Sequence, residues 1–159
     1  MKRGIMPVIT GIVGGVFGAS LISYSDKKSF SKVEEKSIKM TEFYHVLERW
    51  LYIKQENRSL TEYFDRNGYK TVAIYGMKEL GERLYDELKG TNVKVQYAID
   101  KNAGQIVADI DVVTPQDALG QVDVIVVTPI HYFNDIESEL SQVMDCPIVS
   151  IEDIIYELV

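Results

Sequence analysis

The stretch TVAIYGMKELG, residues 71–81, decides the fold class of this 159-residue chain. Its first five residues form a short apolar run without a polar face, which is typical of a central strand in a parallel sheet. Gly76 then allows a sharp turn, and Gly81 lies where a helix packs closely against the strand before it. A strand, a glycine loop and a helix in this order predict the first part of a βαβ unit.

The same alternation continues toward the C-terminus. Apolar segments that we predict as strands cover residues 93–99, 106–113, 122–127 and 147–150. We predict a helix that follows the glycine loop and runs to about residue 89, a turn plus a helix at 115–119, and helices at about 134–144 and at 152–158. This spacing predicts an α/β fold, a Rossmann-like parallel sheet of about five strands with helices on both faces.

The glycine loop predicts a phosphate site, because the free N–H groups at a helix start attract an anion. We expect six loop residues to contact a nucleotide cofactor: Gly76, Met77, Lys78, Glu79, Leu80 and Gly81. Asp100, followed by Lys101, lies 24 residues beyond Gly76, near the ~20 residues expected for the acid that binds a ribose hydroxyl. An acid there repels a 2′-phosphate, so NAD or a related nucleotide is favoured over NADP.

Lys78 departs from the G-x-G-x-x-G pattern at its middle glycine, where the backbone should approach the pyrophosphate most closely. The lysine side chain either obstructs that approach or contacts the phosphate as a point charge. The two alternatives lead to different functions. One is a nucleotide-binding module, and the other is an interaction scaffold whose nucleotide site has degenerated.

Residues 70–159 resemble the Rossmann-like, NAD(P)- or nucleotide-binding domains of bacterial surface-polysaccharide biosynthesis proteins. The resemblance rests on the segments VAIYGMKELGERLYDEL, VQYAIDKN and VDVIVVTPIHYF. The last segment also resembles the D-V-x-x-x-T-P strand end of glucose-fructose-oxidoreductase-type dehydrogenases, in which the Thr-Pro turn lies beside the cofactor. This second resemblance implies that Thr128 and Pro129 line a ligand crevice, with His131 nearby.

His131 is the candidate catalytic residue. It follows the carboxyl end of a predicted strand, where open α/β sheets place their ligands, and histidine titrates near neutral pH. Tyr132 and Asp135 are close enough in sequence to orient its side chain. The alternative is that His131 has no catalytic role and is a residue at a helix start that contacts backbone or solvent. We expect an accessory or regulatory module, with a minimal oxidoreductase or nucleotide-sugar-modifying enzyme completed by oligomerisation as the alternative.

Residues 5–24 contain no charged side chain over twenty positions, enough for a helix to span the bilayer core. Lys2 and Arg3 precede this run, and five lysines follow it: Lys27, Lys28, Lys32, Lys36 and Lys39. The positive-inside pattern predicts a single-pass anchor in the inner, cytoplasmic membrane, with the folded part in the cytoplasm. A signal peptide cleaved near Gly18-Ala19-Ser20 is the alternative.

We therefore predict three regions: a membrane anchor at 1–28, a helical linker at 29–69 and the Rossmann-like domain at 70–159. Charge divides along similar lines, since residues 1–40 carry +4 and residues 41–159 carry −11. An acidic body argues against a nucleic-acid partner.

The single cysteine excludes an internal disulfide, and no Cys/His cluster has zinc spacing, so no metal is expected.

The predicted linker carries six aromatic residues at helical spacing: Phe43, Tyr44, Trp50, Tyr52, Tyr63 and Phe64. One interpretation is a docking face, either for a polysaccharide-biosynthesis partner or for a second copy of the chain. The other is that these residues belong to the core. Ser59 and Glu62 have the spacing of a capping box, which predicts a short second helix closed by Asn67 and Gly68.

Overall fold

The computed structural model describes residues 12–117 and 119–159, with side chains from residue 31 onward. The chain divides into two compact units, Met1–Glu42 and Phe43–Val159. The boundary falls inside the stretch that we predict as a linker. Residues 43–69 therefore belong to the same compact unit as the sheet.

The first element is a long helix, α1 (Ile12–Gln55), whose N-terminal part makes up the described portion of the first unit. An exposed ion pair follows the helical repeat there, with Lys39 Nζ 2.7 Å from Glu35 Oε1. Residues 5–11 of the predicted membrane span lie outside the described residues. Within the part of the chain that is described, no helix is both long enough and apolar enough to cross a membrane.

Within the described residues of the second unit, five parallel strands form one sheet: β1 (Thr71–Tyr75), β2 (Lys94–Ile99), β3 (Val112–Val113), β4 (Val124–Val127) and β5 (Ile148–Ser150). Their order across the sheet is β3-β2-β1-β4-β5. This order is compatible with a Rossmann-like fold, and it places β1 at the centre with a reversal of strand order beside it. The predicted α/β fold with a five-stranded parallel sheet is confirmed.

Four shorter helices complete the second unit: α2 (Thr61–Asn67), α3 (Glu79–Leu88), α4 (Phe133–Leu140) and α5 (Ile151–Leu158). Of the turn and helix predicted at residues 115–119, the turn is present and the helix is wrong, because the described residues there form only a turn and a bend. The Asp117 carboxylate accepts hydrogen bonds from the Thr114 N–H at 2.6 Å and the Thr114 hydroxyl at 2.9 Å. These local bonds close a tight turn, and Gly120 follows before a helix can extend.

Both faces of the sheet are covered, as predicted. Alternate side chains of a strand point to opposite faces, and β1 divides accordingly. Val72 and Ile74 pack in a core cluster with buried side chains of α1, α2, α3 and α5, whereas Ala73 packs in a second cluster with α4. The central strand is thereby buried on both sides, which accounts for its continuous apolar run.

The aromatic residues of the predicted linker divide between core and surface. Four of them are buried in the core or pack against it: Phe43, Trp50, Tyr63 and Phe64. Tyr44 and Tyr52 remain exposed on α1, at 62% and 47% of their surface. The core interpretation therefore holds for four of the six residues.

Glu87 of α3 joins three helices through its nearly buried carboxylate, which is 8% exposed. It accepts hydrogen bonds from Trp50 Nε1 at 2.6 Å, the Ser59 hydroxyl at 3.0 Å and the Leu60 N–H at 2.8 Å. Lys54 Nζ lies 3.1 Å from the same carboxylate. These contacts attach α1 and the start of α2 to the helix that follows the glycine loop.

The predicted capping box of α2 is wrong. The N-cap residue is Leu60, which makes no side-chain capping bond. The Glu62 carboxylate instead pairs with Arg58, whose Nη2 lies 2.8 Å from Oε2. The predicted end of the helix agrees with the structure, since Gly68 adopts a left-handed conformation with φ of 73° just after Asn67.

Candidate functional site

A cleft of about 520 Å³ opens at the carboxyl ends of β1, β2 and β4. Its volume is in the range of small-molecule sites, which run from roughly 300 to 1,000 Å³. The strand order reverses between β1 and β4, and open α/β sheets bind ligands at such a switch point. This cleft is therefore the candidate site.

The structure brings most of the predicted site residues together in this cleft. Eight predicted binding residues and the candidate catalytic residue line it: Gly76, Lys78, Glu79, Leu80, Asp100, Lys101, Thr128, Pro129 and His131. Met77 and Gly81 do not line it. Met77 is buried, and Gly81 is packed against the loop, so both support the site from behind.

Gly76 is required by the geometry of the loop. Its φ of +92° is a conformation that residues with a Cβ rarely adopt. A Cβ at this position would lie 2.8 Å from the Pro129 ring and 2.8 Å from Thr128 Oγ1. Glycine therefore allows the loop after β1 to contact the Thr-Pro turn after β4.

Thr128 holds this contact with its buried side chain, which is 5% exposed. Its hydroxyl lies 2.7 Å from the Gly76 carbonyl oxygen and 3.1 Å from the Tyr75 carbonyl oxygen. The Thr128 N–H also donates to the Tyr75 carbonyl at 3.0 Å. The threonine thus positions the glycine loop, and the hydroxyl is already used within the protein.

Asp100 is 7% exposed and connects the end of β2 to the glycine loop. Its Oδ2 accepts a hydrogen bond from the Met77 N–H at 3.1 Å, and its Oδ1 accepts one from the Asn102 N–H at 2.8 Å. Each carboxylate oxygen has two lone pairs, so both keep the capacity for one more bond. Asp100 can therefore hold the loop and contact a ligand hydroxyl at the same time.

Lys78 lies at the N-terminus of α3 with φ of −101°, which any residue with a side chain can adopt. The departure from the glycine pattern thus causes no backbone strain. The Lys78 side chain is exposed on the cleft wall, and among the described residues it makes no ion pair. The first helical hydrogen bond runs from the Glu82 N–H to the Lys78 carbonyl at 2.8 Å, so the N–H groups before it have no helical acceptor.

Charge is distributed unevenly over the cleft. Four carboxylates line it: Glu79, Asp100, Asp135 and Glu139. On the cationic side are Lys78 and Lys101, and Lys101 Nζ lies 3.9 Å from Glu139 Oε2. The wall formed by α4 is therefore acidic, and the positive charge of Lys78 lies at the glycine loop.

Tyr75, the last residue of β1, also lines the cleft and was missed by the sequence analysis. It is 4% exposed, and its hydroxyl has no hydrogen-bond partner among the described residues. Burial raises the pKa of this hydroxyl, and the charges of Glu139 and Asp100 raise it further. A signal was present, since tyrosine is the one polar side chain in the apolar run of residues 72–75.

His131 lies in a 3-10 turn, Ile130–Tyr132, between β4 and α4. It is half-buried and lines the cleft together with Tyr132 and Asp135. It also lines a smaller, polar cavity of about 200 Å³ beside Ser150 at the start of α5. The predicted position at a strand's carboxyl end is confirmed; its chemical role stays a prediction.

Other candidate chemistries find little support in the described residues. No group of three or more His, Cys, Asp or Glu side chains among them is arranged to hold a metal ion. Cys146 is half-buried just before β5, and burial raises the pKa of its thiol. A raised pKa keeps the thiol protonated at neutral pH and lowers its nucleophilicity.

Fold and site together define an α/β protein with a parallel sheet and a ligand-sized cleft at the switch point of its strand order. No protein-family model matches the chain, and no curated protein or solved structure compared with it matches either.

Proposed function

We propose that the cleft binds NAD or a related nucleotide, and that the protein is a membrane-anchored module in the cytoplasm. In this proposal it has an accessory or regulatory role in bacterial surface-polysaccharide biosynthesis. The proposal that a nucleotide binds is carried by one observation. The glycine loop, the open start of α3 and Asp100 all meet in one cleft at the switch point of the sheet.

The phosphate would bind at the start of α3. Unpaired N–H groups and the helix dipole favour an anion there. Lys78 adds an exposed ammonium group on the same wall of the cleft. The φ of Lys78 is negative, so the loop forms without a glycine at this position. This supports the interpretation that the lysine side chain contacts the phosphate and does not obstruct it.

The sugar would bind beside Asp100, whose carboxylate oxygens each keep a free lone pair. A second phosphate on that ribose would lie against the Asp100 carboxylate. Charge repulsion in a buried position is the physical basis for expecting NAD to bind better than NADP.

The membrane and polysaccharide parts of the proposal rest on the sequence. The uncharged run at residues 5–24 and the lysines that follow support the anchor and its orientation. The resemblance of residues 70–159 to polysaccharide-biosynthesis domains supports the biological setting.

The test is thermal unfolding of the full-length protein with NAD, NADP, CoA, ATP and UDP-glucose, each at millimolar concentration. A ligand present at 100 times its Kd stabilises the fold by about 2.7 kcal/mol, which is an easily measured shift. We expect a shift with NAD that is smaller in Lys78→Gln. The matched control is Arg83→Gln, since Arg83 is exposed on the same helix but does not line the cleft. No shift with any of the five ligands would overturn the proposal.

A second candidate function is a minimal enzyme completed by oligomerisation. The observation in its favour is that His131, Tyr132 and Asp135 line the same cleft as the glycine loop. Turnover of a nucleotide-sugar that is lost in His131→Ala, with the fold intact, would support this candidate. Binding without turnover of any nucleotide-sugar would contradict it.

The third candidate is an interaction scaffold with a degenerate nucleotide site. Large apolar side chains stay exposed on α1 in the second unit, with Tyr44 at 62%, Leu51 at 58% and Tyr52 at 47%. This candidate predicts that the wild-type protein binds no nucleotide, whereas Lys78→Gly does. Equal or weaker binding in Lys78→Gly would contradict it.

A further inference from the structure

We propose that the cleft contains a second subsite at Tyr75, where the hydroxyl donates a hydrogen bond to a neutral ligand group that also donates one to a carboxylate. Three groups of a dinucleotide such as NAD have this chemistry: a sugar hydroxyl, a carboxamide and the edge of a purine base. The inference deepens the proposed nucleotide-binding function and rests on it.

The first argument is the state of the Tyr75 hydroxyl. Tyr75 is 96% buried, since only 4% of its surface is exposed, and its hydroxyl has no partner among the described residues. Buried polar groups in folded proteins are almost always hydrogen-bonded, and an exception needs an explanation. Because Tyr75 belongs to the wall of the cleft, a bound ligand is the partner that accounts for it.

The second argument is the charge around this hydroxyl. Glu139 and Asp100 line the same cleft and lie close enough to raise the pKa of Tyr75. A phosphate would be repelled by these two carboxylates. An ammonium group would be attracted but has no lone pair to accept from the tyrosine. A neutral group that both accepts and donates satisfies the tyrosine and a carboxylate together.

The third argument is the position of this subsite beside the loop. Tyr75 lines the same cleft as Lys78 and Glu79 at the start of α3, so one ligand could place its phosphate at α3 and its neutral group at Tyr75. Among the described residues, the ion pair of Glu139 is with Lys101, at 3.9 Å, and both side chains are about 60% exposed. Exposed ion pairs are weak. The Glu139 carboxylate can therefore exchange this contact for a ligand donor at little cost.

The test is Tyr75→Phe in the full-length protein, with affinities measured by calorimetric titration. Without ligand, we expect the variant to melt at the wild-type temperature or higher, because it removes an unpaired buried hydroxyl. With ligand, we expect the affinity to fall by roughly 2- to 12-fold, the value of one hydrogen bond.

The matched control is Tyr97→Phe. Tyr97 lies on β2 outside the cleft, and its hydroxyl donates to the Gly120 carbonyl at 2.6 Å. This variant should melt at a lower temperature and bind the ligand with unchanged affinity. We thus expect Tyr75→Phe to change affinity but not to lower the melting temperature, and Tyr97→Phe to do the opposite. A general effect of removing a tyrosine hydroxyl would not produce both results.

The ligands are NAD, ADP-ribose, AMP and glucose 6-phosphate. A loss in Tyr75→Phe that is the same for NAD and ADP-ribose identifies a sugar hydroxyl or the adenine edge, since ADP-ribose lacks the carboxamide but keeps both of these groups. A loss for NAD alone identifies the carboxamide. Binding of glucose 6-phosphate alone would overturn the nucleotide proposal and the inference that rests on it.

Three further results would overturn the inference. Equal nucleotide affinity of wild type and Tyr75→Phe would do so while leaving nucleotide binding intact. A lower melting temperature of ligand-free Tyr75→Phe would show that the hydroxyl already has a partner in the protein. No binding of any of the four ligands would overturn both this inference and the proposed function.

Discussion

The Asp100 carboxylate accepts a hydrogen bond from the Met77 N–H at 3.1 Å, which joins the end of β2 to the loop after β1. The same carboxylate accepts from the Asn102 N–H at 2.8 Å and lines the cleft. One side chain thus shapes the loop and faces the ligand. A substitution of Asp100 should therefore change both the stability of the fold and the affinity for a ligand, so the two effects have to be measured separately.

Asp100→Ala should destabilise the fold more than Asp100→Asn does. Alanine leaves two backbone N–H groups without an acceptor, each costing about 1–3 kcal/mol, whereas the asparagine carbonyl oxygen can still accept one of them. Urea denaturation of both variants measures the difference. Equal stability of Asp100→Ala and the wild type would contradict the observed role of the carboxylate in the loop.

Gly81→Ala should destabilise the protein by at least about 3 kcal/mol, the upper end of the usual range for overpacking. A Cβ on Gly81 would overlap the Gly76 carbonyl oxygen, which is backbone and cannot move aside. Gly104→Ala is the matched control, because a Cβ there meets no atom within 4 Å. Chemical denaturation should show a large loss for the first variant and little change for the second.

Thr128→Val should cost about 1–3 kcal/mol, because it removes a buried hydroxyl that donates to the backbone and leaves the Gly76 carbonyl without that donor. It should also weaken nucleotide binding, since the hydroxyl holds the loop against the end of β4. Thr128→Ser keeps the hydroxyl and serves as the control. A valine variant with wild-type stability and affinity would contradict the role assigned to the hydroxyl.

Glu87→Ala should destabilise the fold by several kcal/mol, since each donor left without its acceptor costs about 1–3 kcal/mol. It leaves the Trp50 indole N–H and the Leu60 N–H without their acceptor. Glu82→Ala on the same helix is the control, because Glu82 is 56% exposed and such sites usually change stability by less than about 0.5 kcal/mol. Similar effects of the two substitutions in thermal unfolding would contradict the assigned role of Glu87.

Asp123 should make stability dependent on pH. Hydrogen bonds from the Lys70 N–H and then the Thr71 N–H lower the pKa of its carboxyl in the folded state. A lowered folded-state pKa contributes stability above the unfolded value of about pH 4, and this contribution is lost as the pH falls through the folded pKa. Asp123→Asn should therefore be less stable than the wild type at pH 7, with the difference shrinking toward pH 3. A difference that stays constant over this interval would contradict the prediction.

The arrangement of strands and helices was predictable because it depends on short stretches of sequence. The apolar run of residues 71–75, the glycines of the loop and the return of the same pattern by residue 122 are local signals. The helix at 115–119 and the capping box at Ser59 failed because side chains there found other partners. Asp117 closes a turn with Thr114, and Glu62 pairs with Arg58.

The site was predictable in outline, since the carboxyl ends of parallel strands meet at one edge and eight predicted binding residues line the cleft there. Its chemistry was not. Glu87 meets Trp50 across 37 residues, Asp100 meets the loop across 23, and Tyr75 shares its surroundings with Glu139 of a distant helix.

The sequence by itself thus determined the α/β class, the loop and the edge of the sheet where a ligand belongs, because strand and helix patterns and glycine conformations are properties of neighbouring residues. Only the tertiary structure decided that Asp100 supports the loop, that Lys78 is tolerated, and that the Tyr75 hydroxyl finds no partner among the residues described. Hydrogen-bond partners and burial depend on residues far apart in the chain, which the folded sheet alone brings within reach.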